Sequence, residues 1–176
     1  MLSFGAKHIY LRALEAEDLS FLEHIENDEK LWHLSNSQTP FSNDILKNYL
    51  DNSHRDIFEV KQLRLVICKN QDDQRVGFID IYDFSPRHKR AGLGIVIEQT
   101  FRGQGFAKEA INAISKYGFE HLDLHQFFAH IELDNFESIK LFEACGFEKT
   151  GEKKDWNYHH GQFYTEAIYQ NIRHVH

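Results

Sequence analysis

Gly103 and Gly105 stand two residues apart, between an apolar, β-branched run (residues 94–97) and a pattern with helical spacing. In that pattern Ala107, Ala110, Ile111 and Ile114 recur on one face. A strand, a glycine turn and a helix in this order aim several backbone N–H groups at one point. The positive end of the helix dipole reinforces them, so the chemistry to expect is anion binding. A side chain at Gly103 or Gly105 would hold a phosphate away from the backbone. The stretch lacks the Gly-Lys-Ser/Thr of a P-loop, and its glycines are not spaced Gly-x-Gly-x-x-Gly.

The hexapeptide Arg102-Gly103-Gln104-Gly105-Phe106-Ala107 follows the pattern Arg/Gln-x-x-Gly-x-Gly/Ala. Downstream, Asn135, Ser138, Phe142, Gly146 and Phe147 follow Asn-x-x-Ala/Ser-x-x-x-Tyr-x-x-x-Gly-Phe, except that phenylalanine replaces the tyrosine. Together these segments resemble the two recurring motifs of the GNAT superfamily of N-acetyltransferases, and the opening segment around residues 9–19 resembles its RimJ/RimL branch. The resemblance implies acetyl-CoA as co-substrate and no metal. It implies that backbone groups of Val96 and Ile97 pair with the pantetheine arm, and that the N–H groups from Arg102 through Ala107 hold the pyrophosphate, with Lys108 as a charge partner. It further implies Ile97 N–H as the donor to the developing oxyanion. Asn135 corresponds to a hydrogen-bonding partner of the cofactor arm, although a helix N-cap is an equally good reading of the residue itself. At Phe142, a cofactor-lining position, no hydroxyl is available to protonate the leaving thiolate. Either Ser138, one helical turn earlier, supplies it, or water and the substrate ammonium suffice.

The acceptor must be a primary amine attacking the thioester directly. A peptide α-amine, with a pKa near ~8, costs about 1 kcal/mol to deprotonate at neutral pH, and an alkylamine near ~10.4 costs about 4–5 kcal/mol. An alkylamine acetyltransferase therefore needs acids around its amine. The candidates are Asp80, Asp83, Glu98 and Glu132, with Tyr82 and Trp156 as aromatic walls for a cation. Glu98 thereby joins Ile97 and Ser138 as a candidate catalytic position, although each acid could equally be a solvated strand-end residue. Asp80 and Asp83 are three apart on one strand and face opposite sides unless a bulge intervenes. Residues 83–91 resemble the corresponding segment of spermidine and diamine acetyltransferases. The favoured expectation is a protein N-terminal acetyltransferase of the RimJ/RimL kind, the alternative a spermidine or diamine acetyltransferase. A sensor that binds acetyl-CoA without catalysis is a third reading, motivated by Phe142.

The elements that must position these residues can be read from periodicity. Strands are expected at residues 7–14, 63–69, 75–84, 91–98, 126–133, 147–158 and 163–172. Helices are expected at residues 15–27, from Ser42 onward, at 105–121 and at 135–145, with a short helix or turn at 27–34. Ile45, Leu46, Tyr49 and Leu50 form the expected apolar face of the second of these. The order gives a mixed α/β fold. The GNAT resemblance implies a central, mostly antiparallel sheet of about seven strands flanked by helices, with residues 1–176 as a single N-acetyltransferase domain.

Composition narrows the class. With 20 Lys and Arg against 27 Asp and Glu, the net charge of −7 opposes a nucleic-acid surface. Cys68 and Cys145 are the only cysteines, and neither lies in a Cys-x-x-Cys pair. Without a long apolar run or a leader-like start, the expectation is a cytoplasmic protein, with no membrane partner and a homodimer as a possible assembly. The twelve histidines are scattered and suggest no zinc site.

Overall fold

A computed structural model describes residues 1–35 and 37–173, so Asn36 and the last three residues of the expected domain lie outside the described residues. The chain runs β1 (Ile9–Ala13), α1 (Leu19–Glu26), α2 (Trp32–Ser35), α3 (Asn43–Asp51), α4 (Ile57–Val60), β2 (Leu63–Lys69), β3 (Arg75–Ser85) and β4 (Arg90–Ile97). It continues through α5 (Phe106–Glu120), β5 (Gln126–Glu132), α6 (Phe136–Glu143), β6 (Glu148–His159) and β7 (Gln162–Ile172). The strands form one seven-stranded sheet in the order β1-β2-β3-β4-β5-β7-β6. Neighbours are antiparallel except β4 and β5, which α5 joins as a crossover.

Strand alternation separates two cores. On one face Ile79, Ile81, Leu93, Phe127, Ala129 and Ile131 pack with Phe106, Ala110, Ile111 and Ile114 of α5 and Phe142 of α6. On the other, Tyr10, Val66, Cys68 and Phe78 pack with Leu22 and Ile25 of α1 and Leu46 and Leu50 of α3. The second core draws on β1 to β4 alone, so α1 and α3 roof only half of that face. β3 is apolar on both sides because it is central, as its sequence pattern anticipates.

Local chemistry explains the helix limits. Ser42 accepts from Ile45 N at 3.3 Å and caps α3. Gly146, at φ 84°, ends α6, and Phe147 N–H returns to Phe142 O at 3.1 Å. The turn between β6 and β7 is built on His160 and Gly161, both left-handed at φ 49° and 79°, as a two-residue hairpin requires.

Three features differ from the sequence reading. Ile45 is 57% exposed, since the buried face of α3 centres on Leu46 and Leu50 and leaves Ile45 at its solvent edge. The first part of the expected 15–27 helix is a 3-10 turn, Ala16–Asp18, whose Asp18 is fully buried. Arg12 forks onto Asp18 at 2.7 and 2.8 Å and Arg75 reaches it at 2.6 Å; against the opposing effect of burial, these contacts hold the carboxyl below its usual range. Four-residue α4, capped by Asp56, is too short to leave a periodic signal.

Candidate active site

β4 and β5 remain paired only from Arg90↔Gln126 to Gly92↔Phe128. Beyond that register the two parallel strands splay, and an unpaired edge of each lines a gap. Glu98 N–H donates to Val76 O at 2.9 Å, toward β3. Backbone groups alternate sides along a strand, so Ile97 N–H and C=O point the other way, into the gap. Ile97 O accepts from Arg102 Nε at 3.0 Å, which draws the loop against the end of β4.

The loop is shaped for an anion. Gly103 and Gly105 sit at φ 74° and 85°, a region that disfavours any residue with a Cβ. A Cβ built on either would meet no atom within 4 Å, so the space in front of them is open. The first intrahelical bond of α5 runs from Glu109 N–H to Gly105 O at 3.2 Å. The N–H groups of Phe106, Ala107 and Lys108 therefore lie ahead of the helical ladder, at its positive end. Phe106 is buried and anchors the turn, whereas Gln104 and Lys108 are exposed.

A cleft of about 460 Å³ opens beside this loop. Gln99 and Arg102 form one wall, and Glu132, Asp134 and Asn135 the end of β5. Asp28, Lys30 and Leu31 approach from the turn before α2, and His159, His160 and Tyr164 from the last hairpin. Asn135 caps α6 by accepting from Ser138 N–H at 3.2 Å, which commits its carbonyl oxygen to the helix. Ser138 is half-buried. Phe142 packs edge-on against Phe147, ring centroids 5.0 Å apart, within the core.

Glu132 is the best-supported acid at the cleft. It is only 8% exposed, accepts from Asn157 Nδ2 at 2.8 Å and lies 3.0 Å from His159 Nε2. The His159 ring stacks on Tyr164 at 3.9 Å. Tyr82 shares this face of the sheet, its ring spread over Gly92, where a Cβ would approach it to 2.3 Å. Burial, followed by Asp83, Glu166 and Asp80, raises the Tyr82 phenol, so it stays protonated at neutral pH.

The other candidates stand apart. Asp80 is bound by Arg64 at 2.6 and 3.0 Å, and Arg64 also pairs with Glu26. Asp83 is exposed in a bulge at φ 47°, so it does not join Asp80 in one pocket. Glu98 caps the 3-10 turn Gln99–Phe101 through Thr100 N at 3.2 Å. Trp156 is 59% exposed with the Lys153 ammonium 4.2 Å above its ring. Cys145 is buried, and burial pushes its thiol up to about 11, which makes it a poor nucleophile at neutral pH. A smaller cavity of about 90 Å³ beside Tyr49 and Arg64 is unconnected to these groups. Among the described residues, no cluster of His, Cys, Asp or Glu is arranged to hold a metal ion, and no helix is long and apolar enough to cross a membrane.

Sequence reasoning missed Asp28, Asp134, Asn157, His159 and Tyr164. Only the alternation along β5 pointed this way, since it sets Glu132 and His130 on one face; the hairpin partners come from cross-strand register, which no local pattern encodes.

Residues 8–148 match the acetyltransferase (GNAT) domain family. The chain belongs to that family. As a GNAT enzyme it is an acetyl-CoA-dependent N-acetyltransferase, and the splayed seven-stranded sheet is the GNAT fold. It is 28% identical over 165 residues to the spermidine N(1)-acetyltransferase of Vibrio cholerae, covering 93% of this chain and 88% of that one. The crystal structure of the Vibrio cholerae spermidine N-acetyltransferase with CoA and spermine superposes with a TM-score of 0.85 at 25% identity, covering 94% and 95% of the two chains. A putative ribosomal N-acetyltransferase of Bacillus subtilis is 24% identical over 172 residues, covering 95% and 92%.

Proposed function

We propose that this GNAT enzyme acetylates a small aliphatic polyamine of the spermidine class. The observation that carries the reading is the set of three acids in the cleft: Asp28, Glu132 and Asp134 gather at the mouth of the splay, with Lys30 and Arg102 as the cations there and Arg102 on the side of the glycine loop. An alkylammonium must be bound as a cation before it is deprotonated, at about 4–5 kcal/mol near neutral pH, and carboxylates supply that binding. A peptide α-amine at about 1 kcal/mol would not require them. The similarity to spermidine acetyltransferases over nearly the full chain supports the same choice, whereas the RimJ/RimL reading has behind it the opening segment, the Ser138 and Glu143 pattern and the less similar ribosomal N-acetyltransferase relative.

Acetyl-CoA supplies the activated acetyl thioester, and the chain's own residues do the rest. The N–H groups from Gly103 to Ala107 fit the pyrophosphate, with Arg102 and Lys108 adding positive charge. The free edge of β4 at Ile95 and Ile97 fits the pantetheine amides as an added strand, whereas the backbone groups of Val96, expected to take part, face β3. Ile97 N–H is directed to stabilise negative charge developing on the acyl oxygen. Glu132 holds the acceptor cation, with Tyr82 as an aromatic wall. A thiolate is a fair leaving group, so with Phe142 in the core, solvent can protonate it. Thiol release from acetyl-CoA in the presence of spermidine tests the reading; turnover confined to peptides with free N-termini would refute it.

A further inference from the structure

His130 stands on β5 two residues past Phe128, the last position paired to β4. Strand alternation sets Phe128, His130 and Glu132 on the face opposite α5, where the amine must approach. On β4, Gly92, Gly94 and Val96 lie on that face, because they pair with Tyr82, Asp80 and Phe78; Gly92 is still paired to β5, so Gly94 and Val96 border the gap. His130 therefore stands at the apex of the splay, where the Tyr82 ring covers Gly92 and flanks the backbone of Gly94. Its ring continues an aromatic row: Tyr82 meets Phe128 edge-on at 5.8 Å, and Phe128 meets His130 at 5.4 Å.

The ring is held from one side. His130 Nδ1 lies 3.5 Å from Glu166 Oε1 on β7, and Glu166 is itself fixed by Lys153 Nζ at 2.6 Å and Asn157 Nδ2 at 3.0 Å. The two imidazole nitrogens point in divergent directions, so Nε2 is turned away from Glu166. We propose that His130 is the general base of the transfer, its Nε2 accepting the proton from the attacking amine. The bound ammonium first loses one proton through the imidazole to solvent; the nitrogen–carbon bond then forms, the carbon–sulfur bond breaks with its electron pair on sulfur, and the second proton leaves nitrogen by the same route, while solvent protonates the thiolate. Glu166 stabilises the imidazolium formed in between.

The charges that face His130 are Glu166 from β7, Lys153 from β6 and Asp83 from β3. Burial, then Lys153, holds the imidazole below its ordinary range against the opposing pull of Glu166 and Asp83. It is consequently neutral at pH 7. Activity should be present above that depressed pKa and fall as the pH drops through it, with the acid limb below the usual histidine value of about 6.5.

This inference rests on the amine-acceptor reading, and the two can fail separately. Thiol release would be followed against pH for the wild type, His130→Gln and His130→Ala, each with spermidine, a lysine derivative and a short peptide. We expect kcat/KM of His130→Gln to fall by about 10²–10⁴ with any amine that turns over, and the acid limb to vanish. Added imidazole should restore His130→Ala in part, a response that a purely structural role would not give. Calorimetry should show acetyl-CoA bound by both variants as by the wild type. Retention of activity within about threefold, with the acid limb intact, would overturn the assignment. So would loss of acetyl-CoA binding in both variants, which would mark His130 as a folding residue. Turnover of the peptide but not spermidine would sink the polyamine reading, and His130 would then be judged on the peptide.

Discussion

In the proposed reading, the two sides of the splay recognise their ligands by different means. On the cofactor side, β4, the glycine loop and α5 present backbone: Ile97 N–H, the left-handed Gly103 and Gly105, and the first N–H groups of a helix. On the acceptor side, β5, β7 and β6 present side chains: Glu132 against Asn157 and His159, and His130 against Glu166 and Lys153. Backbone recognition demands particular residues at fixed spacing, because only glycine adopts those angles and only a strand-turn-helix aims those groups. Side-chain recognition demands only that register bring the right groups together. The first is therefore rigid and general, and the second is free to set which amine is used.

The contrast can be broken most forcefully at the loop. Gly105→Glu places a Cβ at φ 85° and a negative charge where the pyrophosphate is proposed to sit. Calorimetry should show acetyl-CoA affinity falling at least ~100-fold, combining backbone strain of about 1–3 kcal/mol with charge repulsion. Unchanged affinity would sink the placement of the pyrophosphate. On the acceptor side, Glu132→Gln should raise the KM for spermidine by roughly 10–100-fold while leaving the acetyl-CoA Kd within twofold, because it removes one paired charge. Equal damage to both ligands would show that the two sides are not separable.

Smaller effects sharpen the picture around the thiolate. Phe142→Tyr puts a hydroxyl into a ring packed against Phe147 in the core, so a loss of about 1–3 kcal/mol in stability is expected. Turnover should not rise. A tenfold rise would show that the missing acid limits the natural enzyme, and would favour the sensor reading if the starting activity were negligible. Ser138→Ala should keep kcat within about threefold across pH if solvent protonates the thiolate. A larger loss that grows with pH would make the Ser138 hydroxyl the acid.

This division also explains what could be read from the chain beforehand. The strand order up to the hairpin, the Ser42 and Asn135 caps and the glycine loop each follow from local residue types. So does the closing turn, where Gly161 takes the left-handed position. The acceptor side was legible only as a scatter of acids. Asp80 looked as eligible as Glu132 until the register of β2 and β3 set Arg64 beside it, and Glu98 until Thr100 was seen to occupy it. The cation over the Trp156 ring is the chain's own Lys153, and the residue does not line the cleft. His130 carried no signal beyond its place in an alternating strand, because its chemistry comes from Glu166 and Lys153, some forty and twenty residues away in the sequence.

The central claim, that acids on the acceptor side select an alkylamine, is tested most directly by competition in one vessel. Spermidine and a short peptide with a free N-terminus, at equal concentration, would share limiting acetyl-CoA, and the acetylated products would be separated by mass. Their ratio reports the ratio of kcat/KM values. The account predicts acetylspermidine in at least tenfold excess; acetylated peptide as the major product would contradict it.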